Sequence, residues 1–295
     1  MSSCRLCGRA DLRSRHRLGP YLVEECPGCG LVQVAAQPST DDLNRLYGEE
    51  YFNRGKYGDA FAERKENEAR LRWLAAAGLP LRAKLLDAGC ATGGFLRLAA
   101  EHYDAWGFDL SAEAVTLARQ AHPALADRIR HGRMEDQDYP PEFFDAIVLW
   151  DVLEHLPDPV AAGRRLVNWL KPDGLLCLST PNIGSTTARL MGRRWAFLTV
   201  PEHLVFFRRE SLDRLLRDEL GLTPIRWTTR GKWANLGFLF YKLKRVFPRL
   251  VPQWLISIFR TPLLRRLAIY VPTGDIQYAA ARKGLEPRGR ISPHG

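Results

Sequence analysis

Four of the six cysteines form two identical spacings, Cys4-x2-Cys7 and Cys26-x2-Cys29, with eighteen residues between them. Two CxxC pairs at that separation suit one tetrahedral zinc held by four thiolates. Each pair is followed by glycine, in CRLCG and CPGCG, which allows the tight turn that aims amide N–H groups at the sulfurs. Two structural disulfides are the competing reading, but adjacent CxxC disulfides are strained, and a chain without a secretory signal points to a reducing cytoplasm. Four protein ligands leave no open position, so the expected metal is structural. Cys90 and Cys177 stand in unrelated apolar contexts and read as inert core thiols.

A second group of residues suits a bound nucleoside. Asp87-Ala88-Gly89-Cys90-Ala91-Thr92-Gly93-Gly94 lies between an apolar strand pattern and a helical one. Glycines at such a turn let the backbone approach a ligand closely. The spacing is neither the dinucleotide GxGxxG nor a phosphate-binding GK[ST] loop. Twenty-two residues after Asp87, a second strand pattern ends at Asp109, where a carboxylate can accept hydrogen bonds from both hydroxyls of a ribose. Capping of the helix at Ser111 is the alternative role for Asp109. An adenosine ligand is the first expectation.

The elements that must position these residues follow from periodicity. Strand patterns occupy 83–88, 104–109, 129–133, 145–150 and 175–180, with two late ones at 223–229 and 276–283. Helical patterns fall near 94–102, 111–121, 159–170 and 209–220, and a further helix over 61–78 precedes them. Such alternation predicts an α/β domain with a mostly parallel sheet covered on both faces. The expected organisation is a zinc-ribbon module over 1–36, a linker and helix over 37–82, a cofactor-binding core over 83–225, a basic aromatic-rich helical insertion over 226–274, a last strand over 275–284 and a tail over 285–295.

Composition narrows the class. Of 295 residues, 46% are hydrophobic and 26% charged, ordinary values for a globular protein, and they exclude a disordered or collagen-like chain. The start is rich in arginine and has no long apolar run, and no window reaches a spanning length, so a cytoplasmic protein is expected. The formal net charge of +10 is carried by one stretch: between Leu220 and Gly274 there are ten Lys and Arg and no Asp or Glu. Aromatics are interleaved with these charges, and Leu236, Leu239, Phe240, Leu243, Val246 and Phe247 share one helical face. A basic amphipathic helix of that kind fits an anionic membrane interface. Cover for the sheet, a dimer contact and single-stranded nucleic acid are the other readings of the same pattern.

Taken together, the motifs resemble a known family. LLDAGCATGGFL is similar to motif I of class I S-adenosylmethionine-dependent methyltransferases. GFDLS resembles their acidic strand-2 ending, and FFDAIVLWDVLEHLPDP followed by LKPDGLLCLSTPN resembles their motifs around strands 4 and 5. The wording DVLEHLPDP is especially similar to the ubiquinone-biosynthesis O-methyltransferases, and the paired CxxCG ribbon resembles that of deoxysugar C-methyltransferases. The resemblance implies a Rossmann-like seven-stranded methyltransferase sheet. It implies Asp87, Gly89 and Gly93 under the methionine end of the cofactor, Asp109 on the ribose and Leu110 against the adenine. It places Met134 and Glu135 beside the adenine edge, and Trp150 and Asp151 between methionine and acceptor.

Transfer from a sulfonium needs alignment above all, and a hydroxyl acceptor also benefits from a base. His203, in WAFLTVPEHLVFF, is the first expectation for that base and His155 the second, each having a structural role as its alternative. In the ubiquinone branch the stretch matching Glu154 and His155 can hold a divalent cation. The strand-4 exit lacks the Asn/Asp-Pro-Pro-aromatic signature of amino methyltransferases acting on bases. The expected activity is methylation of oxygen or carbon on a small-molecule, sugar or lipid-linked acceptor. RNA methylation and a non-catalytic cofactor-binding or scaffold role are the alternatives.

Overall fold

A computed structural model describes residues 2–36, 60–235, 244, 252–253 and 268–285. The amphipathic face over 236–247 and the middle of the basic segment lie outside the described residues, apart from Lys244, Pro252 and Gln253.

Residues 2–36 build a small ribbon. Strands β1 (Arg13–Leu18) and β2 (Tyr21–Glu25) form a hairpin, and β3 (Val32–Val34) pairs antiparallel with β2. The two knuckles have the same geometry. Gly8 N–H donates to Cys4 O and Gly30 N–H to Cys26 O, both at 2.9 Å. Gly8 and Gly30 have φ +75° and +72°, left-handed values that explain why glycine closes each CxxC pair.

Helix α1 (Ala60–Ala76) leads into the core and stops at Gly78, whose φ of +88° ends the helical path. Next come β4 (Lys84–Ala88), α2 (Gly94–Ala99), β5 (Asp104–Asp109), α3 (Ala112–Ala121) and β6 (Ile129–His131). The chain continues with β7 (Phe144–Trp150), α4 (Pro159–Trp169), β8 (Leu170–Pro181) and α5 (Thr186–Met191). It closes with β9 (Val205–Phe206), α6 (Arg209–Arg214), β10 (Leu222–Asn235) and β11 (Ala268–Lys283).

The main sheet has seven strands in the order β10-β11-β8-β7-β4-β5-β6. Strands β4 to β8 run parallel, and β11 and β10 close the edge antiparallel. Parallel strands covered on both faces must be apolar on both, and β7 shows it: Ile147 and Leu149 join one hydrophobic cluster, Ala146, Val148 and Trp150 the other. Cys90 and Cys177 are buried free thiols, as expected of core residues.

Residues 226–235 and 268–274, expected within a helical insertion, are strand. The regular pairing of β10 with β11 extends to Asn235↔Ala268, with shifts at Pro224/Arg226 and Arg230/Lys232. At the second shift only glycine fits, because a Cβ on Gly231 would lie 1.7 Å from Val271 O. Local alternation stops at such a bulge, so the sequence pattern understated both strands.

The ribbon is not a separate bead. Its sheet is completed by β9 from the core, in the order β1-β2-β3-β9, and Cys4, Cys26, Cys29 and Leu31 belong to the same hydrophobic cluster as Leu153, Val205 and Phe207.

Candidate functional site

A cavity of about 320 Å³ opens at the carboxyl ends of β4, β5 and β7, where an open α/β sheet binds its ligands. Asp87, Gly89, Asp109, Leu110, Met134, Glu135, Trp150, Asp151 and His155 all line it. Gly93 does not: its φ of +79° turns the chain into α2, and Gly94 takes the lining position. His203 is also absent from the lining.

The turn after β4 is built for close approach. Gly89 has φ +91°, and a Cβ there would meet Val152 Cγ2 at 2.6 Å. Asp109 holds the turn from the neighbouring strand, one carboxylate oxygen accepting from Ala91 N–H at 2.8 Å and the other from Ser111 N–H at 2.9 Å. Each oxygen keeps lone-pair capacity for a second donor, such as a ribose hydroxyl. Ser111 itself caps α3, accepting from Ala114 N–H, so capping and the Asp109 carboxylate are separate functions here.

Asp87 is the clearest sign of a missing partner. It is 2% exposed, and its Oδ1 has no hydrogen-bond partner. Burial pushes its carboxyl up to about 7, against the pull of Arg70 and with repulsion from Asp109. A buried carboxylate without a donor is costly, and a cationic group entering the cavity, such as the ammonium of a bound amino acid, would relieve it.

Asp151, at the end of β7, is already satisfied. Its Oδ2 accepts from Arg70 and from Lys232, each at 2.9 Å, and its Oδ1 accepts from Ser179 Oγ at 2.8 Å. Burial opposes ionisation, but Lys232 and Arg70 outweigh it and hold this carboxyl well below the usual range. Its φ of +59° is uncommon for a residue other than glycine.

Beyond Asp151 lies a second cluster. Glu154, His155 and His203 bring one ligand atom each within 4.8 Å of one another. The two imidazoles meet edge to face at 4.7 Å. His155 Nδ1 is 2.7 Å from Glu202 O and His203 Nδ1 2.8 Å from Phe197 O. A carbonyl only accepts, so each Nδ1 carries the proton and each Nε2 is the basic nitrogen of the neutral ring. Glu154 is fully buried and accepts from Thr180 Oγ1 at 2.9 Å; burial, then Asp151, raises its carboxyl to about 8.

Four contributors were not foreseen. Glu63, Asn67 and Arg70 line the cavity from α1. Their i, i+4, i+7 spacing puts them on one helical face, a polar signal that could have been read. Lys232 had no such signal, since its direction depends on the bulge at Gly231.

In the ribbon, Cys4 Sγ and Cys29 Sγ are 3.4 Å apart and Cys7 Sγ and Cys26 Sγ 3.5 Å, with all four within 4.8 Å of one another. Every cysteine is a free thiol. The Cys4–Cys29 hydrogen bond pulls the Cys4 thiol down to about 5 against burial and pushes Cys29 up, so Cys4 is the first of that pair to become a thiolate. These four sulfurs would hold one structural zinc with no position left open.

Comparison with known proteins agrees with the geometry. Residues 60–226 match the methyltransferase domain family. A ubiquinone biosynthesis O-methyltransferase of Xanthomonas axonopodis pv. citri is 36% identical over 204 residues, covering 60% of this chain and 83% of that one. The enzyme of the same name from Aliivibrio fischeri is 28% identical over 169 residues, 52% and 72% of the two chains. Among solved structures, a magnesium protoporphyrin IX methyltransferase from Synechocystis with bound SAH aligns with a TM-score of 0.54 at 16% identity, over 83% of this chain and 100% of that one. A methyltransferase from Archaeoglobus fulgidus aligns equally well, at a TM-score of 0.54 and 16% identity, over 80% and 100%. Those two likenesses concern the fold. With its sheet order, its glycine turn and its match to the family over more than half its length, this chain belongs to the methyltransferase domain family and is an S-adenosylmethionine-dependent methyltransferase.

Proposed function

We propose that the enzyme methylates oxygen or carbon on a small-molecule, sugar or lipid-linked acceptor, with His203 as the base and His155 beside it. The observation that carries this reading is the paired histidines next to the cofactor cavity, each with Nδ1 fixed by a backbone carbonyl. The cofactor supplies a methyl group on a sulfonium; the chain supplies alignment and a proton acceptor. Asp109 would take the ribose hydroxyls, Leu110 and Met134 the adenine faces, and Asp87 the ammonium. Glu135 lies farther out, its side chain 67% exposed and 3.5 Å from Arg133, so it offers the adenine edge mainly backbone. Similarity to O-methyltransferases favours oxygen over carbon.

The test is incubation with methyl-labelled cofactor and fractionated cell extracts, separated into lipid, small-molecule and RNA pools, with the new linkage assigned by NMR. Label in the lipid or small-molecule pool, on oxygen or carbon, is the expected result; label confined to RNA would overturn it. A peripheral contact with anionic membrane through 226–274 belongs to the same proposal, and co-sedimentation with anionic liposomes at matched salt tests it. Among the described residues no helix is long and apolar enough to cross a membrane.

A second reading rests on the mutual distance within Glu154, His155 and His203: three ligands of this kind can hold a divalent cation at the acceptor. Loss of transfer on chelation, restored by a divalent cation while ribbon zinc stays in place, would favour it over the base.

Two expectations concern the cofactor side. Asp109→Ala should weaken S-adenosylhomocysteine about 30-fold by calorimetry, the worth of about 2 kcal/mol in charge-assisted hydrogen bonds. Asp87 should make affinity depend on pH. Its carboxyl sits at about 7 without ligand, and an ammonium partner favours the ionised form. Below that value binding must expel a proton, so affinity should fall by up to about tenfold per pH unit on acidification. Asp87→Asn should flatten that slope; a slope unchanged in the variant would exclude Asp87 as its source.

A further inference from the structure

The cofactor cavity is lined by residues from Glu63 onward, and none of its lining belongs to the ribbon. The ribbon's backbone pairs with the core at residues 204–206, immediately after His203, and side chains add to the seam: Glu25 pairs with Arg208, and Val23, Val32 and Val34 pack with Ile183, Trp195 and Leu198. Val32 pairs with Phe206 and Gln33 with Val205. Leu204 is held from both sides: its carbonyl accepts from Val34 N–H at 2.9 Å, and its own N–H donates to Glu154 O at 2.8 Å. One backbone unit therefore joins the ribbon to Glu154 and, through the adjoining peptide, to His203.

Arg5, between the first two cysteines, reinforces this joint. Its guanidinium donates to Val34 O at 2.8 Å and to Leu204 O at 3.3 Å, so it spans the seam between ribbon and core. Its own N–H donates to Gln33 Oε1 at 2.9 Å, and Gln33 Nε2 returns to Ser3 O at 3.0 Å. Gln33 is 1% exposed, so these bonds are shielded from water. A tethered, independently folded ribbon would need neither a strand from the core nor a share of its hydrophobic cluster, and this one has both.

We infer that the four-cysteine ribbon is the positioning element of the acceptor side: through β3 and Arg5 it fixes Leu204, and with it His203 and Glu154, while the cofactor side is built without it. This rests on the acceptor-side reading of His203 given above. Arg5 touches no reacting atom in this scheme and acts only through the Leu204 backbone.

The experiment uses the full-length zinc-loaded protein. Arg5→Met keeps the apolar stem and removes the two carbonyl contacts. Metal analysis should still give one zinc per chain, and the Kd for S-adenosylhomocysteine should stay within about twofold. Amide hydrogen exchange at Leu204 and Phe206 should quicken by about tenfold or more while β4 and β5 keep their protection. Arg5→Lys, which can reach one carbonyl, should restore part of it. Zinc chelation of the unmodified protein should give the same local pattern more strongly, and it serves if Arg5→Met folds poorly. Unchanged exchange at Leu204 would overturn the inference. So would loss that spreads to β4 together with cofactor binding, since that is the signature of general destabilisation. Full transfer activity in His203→Ala would overturn the base reading alone, leaving the ribbon's hold on Leu204 measurable.

Discussion

Replacing His203 with alanine should lower methyl transfer by about 10²–10⁴-fold, the usual worth of a positioned general base, while the cofactor Kd stays unchanged. The separation of the two effects follows from placement. His203 lies outside the cofactor cavity, whereas His155 lines it. His203 Nδ1 donates to Phe197 O, which fixes the ring and makes Nε2 its basic nitrogen, the atom assigned to proton transfer in the proposed scheme. The defect should also shrink as pH rises towards the pKa of the acceptor hydroxyl, because a proton already lost needs no base. A variant whose defect is the same at every pH would indicate a structural histidine. His155→Ala should differ in kind: it should raise the Kd for the cofactor as well as slow transfer. Steady-state kinetics with cofactor and acceptor varied independently separates these outcomes.

The chemistry-bearing residues were legible where chemistry and backbone geometry coincide. Left-handed φ values favour glycine at Gly8, Gly30 and Gly89, and those preferences appear directly as CxxCG and as the glycine turn. The parallel strands were readable because burial on both faces demands uninterrupted apolar runs. What could not be read depends on distant parts of the chain. Strand β9 has two residues, too few for any periodic signal, yet it joins the ribbon to the acceptor side. The helical face of Glu63, Asn67 and Arg70 was readable, but that Arg70 meets Asp151 depends on a residue 81 positions away. The basic excess over 220–274 invited a surface explanation, and for one of its members that explanation is incorrect. Lys232 is turned inward by the bulge at Gly231, and its charge is matched by a carboxylate in the cofactor cavity.

That carboxylate gives the second large effect. Asp151→Ala should destabilise the fold by about 3–5 kcal/mol, because it leaves Arg70 and Lys232 facing each other without their hydrogen-bonded counter-charge and with only Glu66 to offset them. In thermal unfolding this corresponds to a fall of about 10 °C in Tm. The two cations should not contribute equally. Arg70 is 14% exposed at its side chain and Lys232 36%, so water screens the lysine more. Lys232→Met should therefore cost less than Arg70→Met, and Asp151→Ala combined with Lys232→Met should recover part of the loss by removing one stranded charge. Backbone strain is a separate contribution, since residue 151 has φ +59°. Asparagine tolerates that conformation better than alanine and keeps a hydrogen-bonding group for Ser179. Asp151→Asn consequently isolates the charge: if it is as stable as the unmodified protein, the ion pairs contribute nothing and the alanine effect is strain. If it falls most of the way to the alanine variant, the last two strands are locked to the cofactor site by charge, and any change in β10 that moves Lys232 should reach the cofactor through Asp151.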